Sequence, residues 1–536
     1  MPERALALDL GSSSVRGMVF EWDGAGRVEP VAGAFARRLR RLDTAEPGQA
    51  TFDGAGYIAD LEACLDDLQA AGHLDGVTKV GMDSQWHSIV VVDASGAPRS
   101  PVLSWADTRA RPAGQSGPAF AAGPAVDAGT ALDAEDVQRA EALRQRTGCA
   151  MSPMYWTFKC PWLAEQVGGD ALGRGGRFLG LAELVGLALL GDPSMSVGMA
   201  SGTGLLANAS GQWDTEALEL AGVGLADLAP LAPHGWRGTL TADNSRRWPA
   251  LARAEWAPAI GDGAAANLGV GCDRPGRAAL TVGTSAAVRA VRPASQAGHL
   301  PANLWRYLVD SERVVEGAAY SSGGQLYSWA LSLWEGTAPG PTGATGGAAA
   351  AAGSVSHEVD FGLDIGVGAG SDGVLVMPWH AGTRPPSGYV RSGSGSVVGL
   401  GLGHHGEHIV SAAVEAVCFQ LAGGLEALER ATGAQFEVVA NGGAIEKGAL
   451  WRQRLSAALG RPLVCPSIAE TTARGAAIFA FGAGEAGGTL GSTEATVVVP
   501  DPADVRAMAA ARRRWERWYG DMASLFASDE PGSQSG

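Results

Sequence analysis

At 536 residues, 46% of them hydrophobic and 18% charged, the chain has material for more than one domain and too much apolar content to stay disordered. A formal net charge of −16 excludes nucleic acid or an anionic membrane as the main partner and suits a protein that acts on small molecules. The six cysteines (Cys64, Cys149, Cys160, Cys272, Cys418 and Cys465) are scattered with no C-x-x-C pair, which excludes a zinc cage and a disulfide framework.

The chain enters a strand pattern with no basic-then-apolar leader, and no uninterrupted apolar run is long enough to span a bilayer, so a cytoplasmic location without a membrane partner is expected. The first strands are expected at Ala5–Leu10 and Gly17–Glu21, joined by Gly11-Ser12-Ser13-Ser14. A structural hairpin prefers Asn-Gly or Asp-Gly. A turn of glycine and hydroxyls presents N–H and O–H donors to an anion such as phosphate, and Asp9 stands just before it inside an apolar strand. A helix over Ala55–Ala70 leads to strands at Lys79–Ser84 and Ile89–Asp93, then helices over Ala134–Thr147 and Arg177–Leu190. Strands follow at Ala278–Val282, Ala287–Val291, Val314–Glu316, Gly373–Met377 and Glu437–Ala440. The helix over Glu407–Thr432 carries Ile409, Ala413, Val417, Leu421, Leu425 and Leu428 as one stripe. Alternating strands and helices imply an α/β chain. Gly336–Ser356 has the composition of a low-complexity surface insertion, and Ala527–Gly536 that of a disordered tail.

Three motifs fail on context. "GLGHHG" at Gly401–Gly406 matches a dinucleotide fingerprint, but the helix runs on to Thr432, so no second strand and ribose-binding acid arrive in time. "HHGEH" at His404–His408 spells an inverted zinc-protease motif without a third ligand, and reads as a polar helix start with Glu407 on the dipole. "RRLRR" at Arg37–Arg41 reads as a solvated strand face. There is no G-x-x-x-x-G-K-[ST], so any ATP is bound without a P-loop.

Other motifs agree with one another. "LDLGSS" at Leu8–Ser13 recurs as "LTVGTS" at Leu280–Ser285; chance recurrence of a common turn and a duplicated lobe both account for the echo. "AIGDGAAANLGVG" sets Asp262 between glycines at a helix start, as an N-cap or as a general base with room for close substrate approach. "GMDSQWHSIVVVDASGAPRSPVLSWADTRA" carries Gln85, Trp86 and His87 between strands, then Trp105 and Asp107. Aromatic faces with neutral donors suit a sugar; a half-buried hairpin with tryptophan in its core is the plain alternative.

These pieces, with "RTG" at Arg146–Gly148, "KCPWL" at Lys159–Leu163, "VVANGGAIEKGALWRQRLSAALGRPLVCP" and "ETTARGAA", occur in the order of the FGGY carbohydrate kinases. The chain resembles that family almost throughout, and within it is most similar to gluconate kinases. The resemblance implies a two-lobed actin/hexokinase-like (ribonuclease H-like) fold with an interdomain cleft. It implies an N-terminal lobe over 1–250 on the sugar side, a C-terminal lobe over 251–526 on the nucleotide side, and a disordered tail over 527–536. ATP and Mg2+ are the implied cofactors. Asp9 resembles the aspartate that acts through magnesium, and Gly11, Ser12, Ser13 and Arg16 the groups at the phosphate edge. Gly283, Thr284 and Ser285 resemble the second phosphate loop, Gly442 and Gly443 the pair beside the adenosine, and Asp262 the catalytic base. Gln85, Trp86, His87, Trp105 and Asp107 fall in the segments that line the sugar site.

Two departures bear on substrate and lobe closure. Thr383 stands in "GTRPPSGY" where the family has glutamate, and Trp156 stands where proline or serine is usual. The expected function is transfer of the γ-phosphate of ATP to a hydroxyl of a sugar or sugar acid, gluconate favoured, in a protein compatible with a homodimer. The rival readings are a xylulokinase-like pentulose kinase and a non-catalytic actin-like ATP-binding protein. For an aldonate, the matched segments offer His87, the indole N–H groups of Trp86 and Trp105, and Arg109, which puts the carboxylate near the mouth of the site and partly hydrated.

Overall fold

The computed structural model describes residues 2–24, 26–110, 134–168, 172, 175–335, 360–363, 365–380, 394–482 and 494–528. The expected insertion at Gly336–Ser356, the tail from residue 529 and Thr383 lie outside these described residues.

Two sheets organise the chain. In the first, β1 (Glu3–Leu10), β2 (Ser14–Trp22) and β3 (Val28–Leu39) form an antiparallel meander. The helix α1 (Gly54–Ala70) then returns the chain so that β4 (Val77–Ser84) pairs parallel to β1. Much later β5 (Glu255–Trp256) and β6 (Ile260–Gly261) add to β4, also parallel. The chain then enters α2 (Asp262–Gly269) and crosses into the second sheet.

That sheet repeats the plan. β7 (Arg277–Val282) and β8 (Ala286–Pro293) are an antiparallel hairpin, β9 (Trp305–Leu308) and β10 (Arg313–Tyr320) extend it, and β11 (Glu437–Asn441) pairs parallel to β7. β12 (Leu463–Pro466) and β13 (Ala495–Val498) complete the order β9-β10-β8-β7-β11-β12-β13. Gly11–Ser13 joins β1 to β2, and Gly283–Ser285 joins β7 to β8 at the equivalent point, so the echo in the sequence is a structural repeat. This is the two-lobed actin/hexokinase-like architecture.

Each lobe has its own core. The first gathers Leu6, Leu8, Val19, Tyr57, Leu61 and Val80; the second Leu280, Val288, Val414, Val417, Leu421 and Leu425. Two helices cover the second sheet, α3 (Gly324–Glu335) and α4 (Gly406–Thr432). By length and composition α4 could cross a membrane, but 83% of its apolar window is buried inside the lobe. At its start, the His404 and His408 rings accept the N–H groups of Gly401 and His405. The helix expected over Arg177–Leu190 is in fact a strand, Arg177–Leu179, and a helix, Leu181–Leu190. Gly180 caps the helix in extended conformation, and Phe178 is drawn into pairing with Val91.

A crossing of helices joins the lobes. α5 (Thr471–Phe481) packs on α2 and on β4 with backbone against backbone. A Cβ added at Gly475 would overlap the carbonyl of Ala265, one at Gly269 the carbonyl of Thr471, and one at Gly81 the carbonyl of Ala476. The buried Arg474 ties the crossing, donating to the Val28 carbonyl at 2.9 Å and the Gly269 carbonyl at 2.5 Å. Gly475→Ala is therefore expected to destabilise the protein by about 1–3 kcal/mol, the cost of overpacking a filled contact. Gly298→Ala, where the added atom meets open space, serves as the control. Denaturant midpoints check this, and equal midpoints for the two variants would contradict it.

Candidate active site

Asp9 lies opposite Asp83 in the parallel β1–β4 register, and β6 extends the row with Ile260 opposite Asp83 and Gly261 opposite Ser84. Asp262 follows as the first residue of α2. Three carboxylates far apart in sequence thus meet at the carboxyl ends of adjacent parallel strands, where open α/β sheets bind ligands. The N-cap of α2 is Gly261, so Asp262 is not the capping residue; its Oδ1 accepts the N–H of Gly263 at 2.8 Å. The helix N-terminus favours its charge.

Negative charge exceeds positive charge here. Burial pushes the Asp9 carboxyl up to about 6, with Arg16 opposing and Asp262 and Glu470 adding to the rise. Asp83 is fully buried beside Asp9, its oxygens have no geometric hydrogen-bond partner among the described residues, and burial together with Asp9 and Asp262 raises it well above the usual carboxylate value. Arg16 answers part of the charge, its Nη1 lying 3.5 Å from Asp9 and 2.5 Å from Glu470. Glu470 holds φ +51, an uncommon conformation for a side-chain-bearing residue. This surplus fits a divalent cation. Among the described residues no group of three or more His, Cys, Asp or Glu side chains could hold a metal alone, so a cation here would take further oxygens from a bound phosphate, as Mg2+ commonly does.

Both hairpins are held from behind. The Gly11 carbonyl accepts the Tyr57 hydroxyl at 3.0 Å, the Ser13 carbonyl the Arg40 N–H at 2.8 Å, and Arg16 Nε donates to Ser14 Oγ at 2.9 Å; Ser12 is half-buried between them. In the second hairpin the N–H groups of Gly324 and Gln325 donate to the carbonyls of Gly283 and Thr284, and Gly283 N–H to Ser285. Thr284 is exposed. Gly442, at φ +98, packs on the Val282 carbonyl, and the position of a Gly443 Cβ is open. Glu446, on the short helix begun by Gly443, is raised by burial and also by Glu470, the residue that pairs with Arg16.

The aromatic residues are more enclosed than a sugar-facing platform. Trp86 is 5% exposed, its indole N–H donates to the Gly198 carbonyl at 3.0 Å, and its ring fills the room left by Gly261 and Gly263. The glycines flanking Asp262 are thus taken by an indole rather than left open for substrate. Tyr307 lies 4.8 Å from the Trp86 ring and Trp305 at 6.1 Å. His87 is half-buried at φ +67, with Nδ1 2.5 Å from the Gly202 carbonyl and its ring edge-on to Tyr155 and Tyr307. Gln85 is 2% exposed, and neither atom of its amide has a partner among the described residues.

Asp107 turns away from this group. It is fully buried, accepts the Ala50 N–H at 3.0 Å and pairs with Arg109 at 2.8 Å, which leaves it a structural anchor. Arg109 is thereby occupied, and it also lies over the Trp162 ring and meets Glu46. Neither it nor the Trp86 N–H is available to a substrate carboxylate. Trp105 is half-buried against Ala50 and Ala106. Lys159 is fully buried, donates to the carbonyls of His87 at 3.0 Å and Ser104 at 2.7 Å, and is lowered to about 7 by burial. Trp156 helps in the same task, its indole N–H meeting the Ser88 carbonyl at 3.1 Å, which explains a bulky residue at that position.

Sequence reasoning passed over Asp83, Glu470, Arg289 and the Trp305–Tyr307 pair. Asp83 carried the signal that marked Asp9, an aspartate inside an apolar strand, and Arg289 is likewise a charge in the strand "AAVRAVR". Trp305, Tyr307 and Glu470 had no local signal. A concavity of about 1600 Å3 lies apart from these residues and includes Arg146, Arg306 and Arg313. Those three pair with Asp214, Glu316 and Asp310, so it offers no reactive constellation.

Residues 278–484 match the FGGY family of carbohydrate kinases, C-terminal domain. The chain is similar to the gluconokinase of Bacillus subtilis (strain 168), 25% identical over 410 residues that cover 75% of this chain and 73% of that protein. It is also similar to the glycerol kinase of Rhizorhabdus wittichii, 28% identical over 561 residues covering 98% and 97% of the two chains. The crystal structure of gluconate kinase from Lactobacillus acidophilus superposes with a TM-score of 0.78 at 21% identity, over 98% of this chain and 99% of that one. The repeated sheets and paired hairpins thus lie in a chain that is similar over most of its length to carbohydrate kinases and whose residues 278–484 match the C-terminal domain of the FGGY family.

Proposed function

We propose that this chain is an ATP-dependent kinase that transfers the γ-phosphate of ATP to a hydroxyl of a sugar or sugar acid, with gluconate the favoured acceptor. The observation that carries the reading is the row Asp9–Asp83–Asp262 at the ends of adjacent parallel strands, with an equivalent glycine-hydroxyl hairpin in each sheet. The similarity to a gluconokinase supports the acceptor.

Phosphoryl transfer asks a protein chiefly for alignment and for neutralising charge. Asp262 would accept a hydrogen bond from the acceptor hydroxyl, orient it and take its proton as the oxygen attacks. Arg16 and the hairpins Gly11–Ser13 and Gly283–Ser285 would donate to the phosphates, with Gly442 and Gly443 beside the nucleoside. Asp9 would hold Mg2+, which when bound neutralises charge on the phosphate oxygens. Gln85 and His87 would meet acceptor hydroxyls, with Trp86 and Trp105 shaping the wall and Lys159 fixing the loops that carry them. Approach of the lobes at the α2–α5 crossing would exclude water as a competing acceptor.

Asp262→Asn is expected to lower kcat by about 10²–10⁴, the scale of general-base assistance, while a nucleotide analogue still raises the melting temperature. Coupled ADP release with gluconate, xylulose, ribulose, glycerol and rhamnulose checks both the residue and the acceptor. Near-native turnover by Asp262→Asn would remove the base assignment, and a better kcat/KM for xylulose or glycerol would remove gluconate while leaving a kinase.

A further inference from the structure

Among the described residues, Arg289 is an arginine without an anion. It lies in β8, and its Nε is 3.0 Å from where a Cβ of Gly263 would stand, beside Asp262. Its Cγ is 3.1 Å from the corresponding point on Gly317, which also adjoins Trp305, so the side chain lies between the base and the aromatic group. Nε and Nη1 are sealed from solvent and donate to nothing among the described residues; Nη2 is left as the nitrogen that meets the open space. Among the described residues no carboxylate lies within ion-pair distance, and Asp262 is the one charge there that offsets its desolvation.

The contrast with the other enclosed arginines is sharp. Arg292 and Arg306 share Glu316, Arg144 binds Glu141 and three carbonyls, Arg454 binds the Val367 carbonyl near Glu415, and Arg474 binds two carbonyls. A guanidinium stays charged in any protein environment, and burying it unpaired is costly. A site for neutral sugars needs no such group, because hydroxyls can be met by Gln85 and His87.

We propose that Arg289 receives the carboxylate of the acceptor, which makes the substrate class of this site the sugar acids rather than neutral sugars or glycerol. The assignment rests on the kinase reading above and replaces the partly hydrated carboxylate expected from the sequence, since Arg109 and the Trp86 N–H are engaged elsewhere. Nη2, the nitrogen on the open side, carries the N–H groups that would meet the carboxylate in a charge-assisted hydrogen bond. Arg289 and Asp262 are close neighbours, so the reacting hydroxyl and the carboxylate are held near one another, by a short acid or by a longer one that folds.

The test compares each acid with its neutral alditol, gluconate against glucitol and glycerate against glycerol, in wild type, Arg289→Gln and Arg289→Lys. The expected result is a preference for the acid in wild type and a roughly 10- to 100-fold loss of acid kcat/KM in Arg289→Gln, mostly in KM. Arg289→Lys recovers part of the loss, and the ATP KM and alditol turnover stay near wild type. Thermal unfolding gives a second readout: the acid protects wild type but not Arg289→Gln, whereas a nucleotide analogue protects both and shows that the variant is folded. Equal losses on acid and alditol, or loss of nucleotide protection, would move Arg289 to the phosphate or to Asp262 and overturn the assignment. Wild-type turnover of gluconate that Arg289→Gln leaves intact would overturn it too, with the kinase reading untouched. A wild type that phosphorylates only neutral acceptors would end both this assignment and the gluconate preference, and one that phosphorylates none of them would end the kinase reading.

Discussion

The site depends on a contact that has no side chains in it. Where α5 crosses α2, the backbone of Gly475 lies on the Ala265 carbonyl and that of Gly269 on the Thr471 carbonyl. Any larger residue would push the helices apart. The first residue of α2 is Asp262, and the residue just before α5 is Glu470, which holds Arg16 beside Asp9. One close approach therefore brings together a carboxylate that follows β6, a cation on β2 and a carboxylate from the far end of the chain. Arg474 locks it by donating across to both lobes.

Given that placement, the chemistry follows from charge. Asp9, Asp83 and Asp262 lie in one partly desolvated row with Arg16 at one side and Arg289 at the other. Burial raises Asp9 to about 6 and Asp83 well above its ordinary value, and the neighbouring carboxylates add to both rises while Arg16 opposes them. Such a row is costly for a protein that binds nothing. It is relieved by a divalent cation and phosphate at the Asp9 end, and by an anion at the Arg289 end. Polar atoms of Gln85, Ser84 and Asn267 that are buried without partners among the described residues lie near the same row, as a site for a hydroxylated ligand requires.

The parts of this arrangement that depend on short stretches were readable in the sequence. The strand that carries Asp9, the glycine-hydroxyl turns and the helix opening at Asp262 each carry a local pattern, and the structure has those elements within a few residues of where they were expected. The alternation of strands and helices gave the class, and the repeated turn motif matches the repeated hairpin. What depends on distant contacts was not readable. Arg177–Leu190 has a helical composition throughout, yet Phe178 is recruited to a strand by Val91. Asp107 looks like a sugar ligand until Arg109 and the Ala50 N–H are seen around it. Trp86 looks like a platform, but Gly198, Gly261 and Gly263 supply a socket for it from other segments. Arg289 has meaning only through what it lacks, which no pattern in "AAVRAVR" reveals.

The central claim, that the row of carboxylates serves phosphoryl transfer to a carbohydrate hydroxyl, is tested most directly by following the phosphorus. The full-length protein is incubated with ATP, Mg2+ and gluconate, and 31P NMR spectra are recorded with and without the acceptor. The account predicts that the γ-phosphate resonance gives way to a phosphomonoester of the acceptor with an equal amount of ADP, and that little inorganic phosphate forms when the acceptor is withheld. ATP that persists across the whole acceptor panel, or inorganic phosphate released at the same rate with and without acceptor, would contradict it.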